Sequence, residues 1–190
     1  MANSNSGTRR ATRSRTAPSP CASRRSHGSR PFGSTVTYVW VEREVLKLAV
    51  QRPALCGPEF DTLGADTFTV PAHRAVFTLI ADCGGAATSD NTREWVARLR
   101  EAAPNERAQA FVTELAVEPL RRHSEPDEKY ADVLLARVGE LAVSREITSV
   151  KARLQRMNPV EEQTGYNRMF GDLVGLEKRR KALLDRAAGA

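Results

Sequence analysis

The strongest constraint in this sequence is a long absence of helix breakers. No proline interrupts the chain between Asp127, a good helix N-cap, and Asn158, so one helix can run for about 30 residues, or ~45 Å at 1.5 Å per residue. That is longer than a small bundle is wide. Asn158-Pro159 breaks the pattern once, and proline suits the first turn of a second helix running toward Ala187. In this second segment Tyr166, Phe170, Leu173, Leu176, Arg180 and Leu183 or Leu184 recur every three or four residues. Ile147, Val150, Leu154 and Met157 show the matching spacing at the end of the first. So short a connection forces the two helices antiparallel, as an αα-hairpin.

Upstream, the periodicity from Thr35 onward is also helical, with none of the β-branched alternation of strands. A first helix is expected over Tyr38 to Arg52, with Trp40, Val41, Val45, Leu48 and Ala49 turned inward and Pro53 at its end. Gly57-Pro58 opens a short helix through Phe60 to Leu63. Thr69 and Pro71 start a third with Val76, Phe77 and Ile80, ended by Gly84-Gly85. Asp90 to Thr92 cap a fourth carrying Trp95, Val96 and Leu99. Asn105 caps a fifth carrying Phe111, Val112, Leu115 and Val117. The expected fold class is all-α: a five-helix bundle over residues 35–126, then a long helix and C-terminal antiparallel helical hairpin over 127–190.

The net charge of +6 is unevenly placed. Residues 1–34 hold seven arginines and no acid, leaving 22 basic against 23 acidic residues in the rest. With eight serines, three prolines and few large apolar side chains, this Arg/Ser-rich stretch cannot offset the entropy of ordering and is expected to be a disordered basic tail. It lacks the apolar core of a secretory signal and the apolar face of a transit peptide. No apolar run approaches the ~20 residues a bilayer needs.

Autonomous catalysis finds no support. His27, His73 and His123 stand apart from any HExxH pattern, and Cys21, Cys56 and Cys83 form no CxxC pair. Cys83-Gly84-Gly85 reads as a helix end rather than a nucleophile with a base nearby. No cofactor and no metal are expected. The hairpin itself is the functional candidate, because one face of each helix lacks cover from its own chain. Val160, Met169 and Val174 lie off the seam and are flanked by Arg153, Arg156, Arg168 and the basic run Lys178 to Lys181, a composition suited to a docking surface. Gly165, Gly171 and Gly175 make the second helix locally soft or closely packed.

Two stretches carry a family resemblance. Residues 151–184, KARLQRMNPVEEQTGYNRMFGDLVGLEKRRKALL, resemble the C-terminal helical hairpin of bacterial DNA primases of the DnaG family. Residues 42–80, EREVLKLAVQRPALCGPEFDTLGADTFTVPAHRAVFTLI, resemble that family's preceding helical subdomain. The resemblance implies a helicase-interaction domain whose hairpin docks on the N-terminal collar of the hexameric replicative helicase DnaB, in the bacterial cytoplasm at the replication fork. The positions matching the family are Leu154, Arg156, Met157, Asn158, Pro159, Tyr166, Asn167, Phe170, Leu176 and Arg180, some holding the hairpin together and others touching helicase. Arg153, Met169 and Leu173 complete the candidate partner-binding set. A full primase also carries a zinc-binding and a polymerase domain, for which these residues supply no CxxC, no Asp-x-Asp and no room, so this chain is not expected to make primers. The vocabulary of its tail suggests a truncated or frameshifted gene. The alternative reading is nucleic-acid binding through the arginine-rich tail and basic C-terminus. Weak non-specific contact of that kind and a monomeric state for the isolated chain are the secondary expectations.

Overall fold

The computed structural model describes residues 35–89, 91–122 and 124–189, and the expected tail over 1–34 lies outside them. Seven helices follow in order: α1 Thr35–Gln51, α2 Pro53–Asp61, α3 Pro71–Asp82, α4 Thr92–Ala102, α5 Glu106–Val117, α6 Glu128–Leu154 and α7 Gln163–Ala187. Short 3-10 turns at Ala65–Thr67 and Ala86–Thr88 complete the path, and no strand occurs among the described residues.

α1 is the hub. From Val41 to Val50 every residue but Arg43 is buried, because α2, α3, α4, α5 and α6 all pack around it. The sequence marks only one stripe of α1 as inward. In the structure Glu42, Glu44 and Lys47, charged residues not among that stripe, are buried too. Buried charges persist only when paired and hydrogen-bonded. Lys47 Nζ lies 2.6 Å from Glu44 and donates to the Pro119 carbonyl at 2.8 Å, while Glu44 also accepts from Tyr130 Oη at 2.7 Å. Glu42 accepts from the Thr69 amide and hydroxyl and from Nδ1 of His73 at 2.9 Å. These contacts fasten α1 to the loops before α3 and α6.

Side chains also satisfy carbonyls that helix ends leave without partners. Trp95 Nε1, fully buried, donates to Ala49 near the end of α1, and Gln51 Nε2 reaches the Leu115 and Glu118 carbonyls at the end of α5. Asn91, Asn105 and Asp127 cap α4, α5 and α6 through their side-chain oxygens. At the end of α3, Gly85 takes φ 86° and brings the following amides onto the Asp61 carboxylate, which accepts from Ala86 at 2.8 Å and Ala87 at 3.0 Å. A side chain at Gly85 would adopt a left-handed backbone and meet that carboxylate within 2.6 Å.

The expected helices are present, with three local differences. Pro53–Cys56 forms an extra turn ahead of the Gly57 kink (φ 52°), since proline is as well suited to open α2 as to end α1. Val117 is 74% exposed rather than inward, because α5 ends there and the chain turns away. Pro159 does not begin α7. Asn158 Oδ1 accepts from the Val160 amide, and the Glu162 amide closes a single turn on the Asn158 carbonyl, so α7 starts at Gln163.

The core does not end with the fifth helix. Ala131, Leu134, Leu135, Val138 and Leu141 of α6 join the same apolar cluster as α1 to α5. Beyond Leu141 the helix leaves that cluster, and Val143, Ile147, Val150 and Leu154 are buried outside it with α7 running alongside.

Two outcomes follow. Burial alone would raise the Glu42 carboxyl, but the hydrogen bonds from His73, Thr69 and the Val70 amide outweigh it and hold the group at about 2, against an ordinary 4.5. The stabilisation is therefore present above pH 4.5 and is lost as pH falls from 4.5 toward 2, where the unfolded chain binds a proton that the folded chain refuses. Urea titrations over that window should show wild type losing up to about 3 kcal/mol more than Glu42→Gln. Lys47→Met strands Glu44 in the interior and should lower unfolding free energy at pH 7 by about 3 kcal/mol, read from the same titrations.

Candidate partner-docking surface

The hairpin of α6 and α7 is assembled from one well-covered helix and one that is not. Eleven residues of α6 are buried, whereas none of the 25 residues of α7 is. α7 lies against α6 along its length, so its apolar side chains are covered from one side only. Its far end is anchored: Arg186 pairs with Glu59 of α2 at 2.7 Å and with Asp132 at the start of α6, and these two carboxylates raise the guanidinium above its usual value. Lys151 Nζ meets Glu177 at 2.7 Å across the hairpin, with Arg180 on the same carboxylate at 3.1 Å. The Lys151 hydrogen bond is the main cause that holds Glu177 below the usual carboxylate range.

The thirteen sequence-derived candidates fall into two groups. Leu154 is buried and, with half-buried Met157, Met169, Leu173 and Leu176, belongs to the seam. Arg180 is half-buried and held by Glu177. Arg153, Arg156, Asn158, Pro159 and Asn167 are exposed. Phe170 differs from its seam reading: it is 52% exposed, and its ring stacks on half-buried Tyr166 with centroids 6.5 Å apart. Met169, expected off the seam, instead takes the inward position next to it. On a helix, neighbours in sequence point ~100° apart, so a reading that favours the larger side chain at a degenerate three-or-four spacing picks the wrong one. Val174 at 42% exposed and Val160 at 84% exposed extend the uncovered apolar surface along α7 and at the hairpin tip.

On the other flank, α6 and α7 leave a groove of about 790 Å³. Val150, Met157, Met169 and Leu176 provide apolar wall, and Arg153, Arg168 and Arg179 stand on its rim together with Glu146 and Asp172. Gly165 sits close against the hairpin, since a Cβ there would be 3.3 Å from Met157 Cε. Gly171 and Gly175 also line the groove, yet a Cβ on either would meet nothing within 4 Å. Packing within the chain gives those two glycines no reason, although each costs α7 about 1 kcal/mol relative to alanine. Sequence reasoning named Arg153, Arg168 and the basic run that contains Arg179, but set them around Val174 and did not join them with Asp172 and Glu146. Their common flank depends on the register of the two helices, which spacing within either helix does not reveal. His73, unassigned in sequence, is buried on Glu42 in the bundle and stacks on Phe111, far from a docking role.

No described helix is long and apolar enough to cross a membrane. The described residues contain no group of His, Cys, Asp and Glu side chains placed to hold a metal ion.

Comparison with known proteins places this architecture. The family model described as DNA primase DnaG DnaB-binding matches residues 42–169. The DNA primase of Mycolicibacterium smegmatis is 42% identical over 154 residues, covering 80% of this chain and 24% of that protein. The DNA primase of Mycobacterium tuberculosis strain H37Rv is 38% identical over 151 residues, and that of Streptomyces coelicolor 44% over 121 residues, covering 62% of this chain and 19% of its own length. The chain thus spans about a quarter or less of the primases it matches. The solved helicase binding domain of primase from Mycobacterium tuberculosis superposes with a TM-score of 0.66 at 38% identity, covering 79% of this chain and 93% of that one. With two-thirds of its residues matched by the family model and its helices laid out as in that domain, this chain belongs to the DNA primase DnaG DnaB-binding family.

Proposed function

We propose that this chain is a helicase-docking module, which binds the N-terminal collar of a hexameric DnaB-type replicative helicase through the α6–α7 hairpin and so couples primer synthesis to the advancing fork. Primer synthesis itself is the nucleotidyl transfer of full-length primases, carried by domains beyond the matched region. The observation that carries the reading is the uncovered state of α7: 25 helical residues without one fully buried, in a chain whose family is described by its DnaB binding. Apolar surface left in water along a helix is stabilised when a partner covers it, at roughly 25 cal/mol per Å² removed from water.

Within the hairpin the roles divide by exposure. Leu154, Leu173 and Leu176, with Met157 and Met169, hold the two helices together. Phe170, supported by the Tyr166 ring, is the aromatic anchor, with Val174 beside it and Val160 at the tip. Arg156, Asn158 and Asn167 are exposed and serve as polar surroundings of the contact, with exposed Pro159 at the hairpin tip. The setting for such a module is the bacterial cytoplasm, at the fork.

Phe170→Ala and Val174→Ala remove exposed side chains, so their melting temperatures should stay near wild type. Affinity for the same organism's replicative helicase, measured by isothermal titration calorimetry, should fall about 10- to 100-fold for Phe170→Ala. Leu173→Ala should instead lower both melting temperature and affinity. Unchanged affinity of Phe170→Ala and Val174→Ala alongside a binding wild type would remove this flank from the contact.

A further inference from the structure

The groove on the opposite flank of the hairpin has a chemistry of its own. Phe170 and Val174 do not line it: two residues from Asp172 on a helix is a rotation of ~200°, which places them across α7. Its lining combines charged side chains with an apolar strip that includes Met157 and Met169, whose unbranched thioethers adapt to varied surfaces. Its rim carries Arg153, Arg168 and Arg179, all exposed, and none of them forms an ion pair with any described residue. Elsewhere some guanidinium groups, such as Arg43, Arg52, Arg122 and Arg186, are held by carboxylates, while others, such as Arg93 and Arg107, stand singly; the groove differs in gathering three on one rim.

We propose that this groove receives one amphipathic helix of the helicase collar, its apolar stripe on Val150, Met157, Met169 and Leu176 and its acidic side chains on Arg153, Arg168 and Arg179. The proposal rests on the helicase-docking reading above and specifies the partner surface: an acidic-edged helix, on a flank separate from Phe170. An apolar floor bordered by charge is the form taken by grooves that bind helices, and the border sets orientation and selects partners of opposite sign. Glu146 and Asp172 within the same rim disfavour a polyphosphate strand, and no aromatic ring lines the groove to stack a base. Gly175 keeps the floor low enough for a second helix to approach, since its missing side chain would occupy open space rather than the chain's own interior.

That last feature supplies the test. Gly175→Leu replaces a poor helix former by a good one where a Cβ meets no atom and the side chain extends into the open groove, so the full chain should melt no lower than wild type while the groove is filled. Affinity for the same organism's intact helicase should fall at least 10-fold. Arg168→Glu should weaken binding about 10-fold at 50 mM salt, with a gap to wild type that narrows as salt rises. Equal affinity of Gly175→Leu and wild type overturns the groove assignment and leaves the helicase reading standing, as does tighter binding of Arg168→Glu, which would mean a basic partner surface. Loss of affinity of both variants for fluorescent oligo-dT, with helicase affinity unchanged, assigns the groove to nucleic acid and overturns the proposal. Failure of wild type to bind helicase at all is a different result: it overturns the functional reading on which this one rests.

Discussion

The feature on which the rest depends is that α7 has a neighbour on one side only. A helix buries a stripe by leaning on another element, and for α7 that element is α6, with the Arg186–Glu59 ion pair reaching α2 at its far end. Leu173, Leu176 and Met169 therefore reach only partial burial, and Phe170, Val174 and Val160 remain in water. Such an arrangement holds in isolation because the seam residues of α6 are well covered and because Arg186 and Lys151 tie the helices at their base and middle. It leaves hydrophobic surface whose coverage is a source of binding free energy.

The bundle gives this hairpin a rigid foundation. α6 is about 40 Å long, and its first half is part of the core while its second half projects with α7. At its root sit the buried charges of α1: Glu44 takes the Tyr130 hydroxyl from α6 and the Arg121 amide from the preceding loop, and Lys47 holds Glu118 and Pro119. Replacing such a network by apolar side chains often costs nothing in stability, so what it contributes here is a defined geometry for the point at which α6 enters the core.

Much of this was legible in the sequence because breakers and caps act locally. Asn91, Asn105 and Asp127 cap the helices they precede, and the proline-free run after Asp127 becomes a single helix of 27 residues. Buried charge was not legible. Glu42, Glu44 and Lys47 are charged residues that a sequence would leave in water until α3 and the segment around the start of α6 are folded over them, and those partners are 27 to 86 residues distant in sequence. Phe170 was misassigned to the seam for a related reason: with hydrophobic residues at 169, 170, 173, 174 and 176, spacing alone fits more than one stripe, and only the register against α6 selects Met169. The separation of Arg153, Arg168 and Arg179 from Val174 needed that same register.

As proposed, α7 is left incomplete by its own chain and is completed by helicase. Hydrogen–deuterium exchange measures this helix by helix. In the isolated chain, amides of α7 near Phe170 should exchange far faster than those of α1 and the first half of α6, and adding the organism's replicative helicase should slow α7 selectively. Protection of α7 equal to that of α1 in the isolated chain, with no change when helicase is added, would contradict the claim.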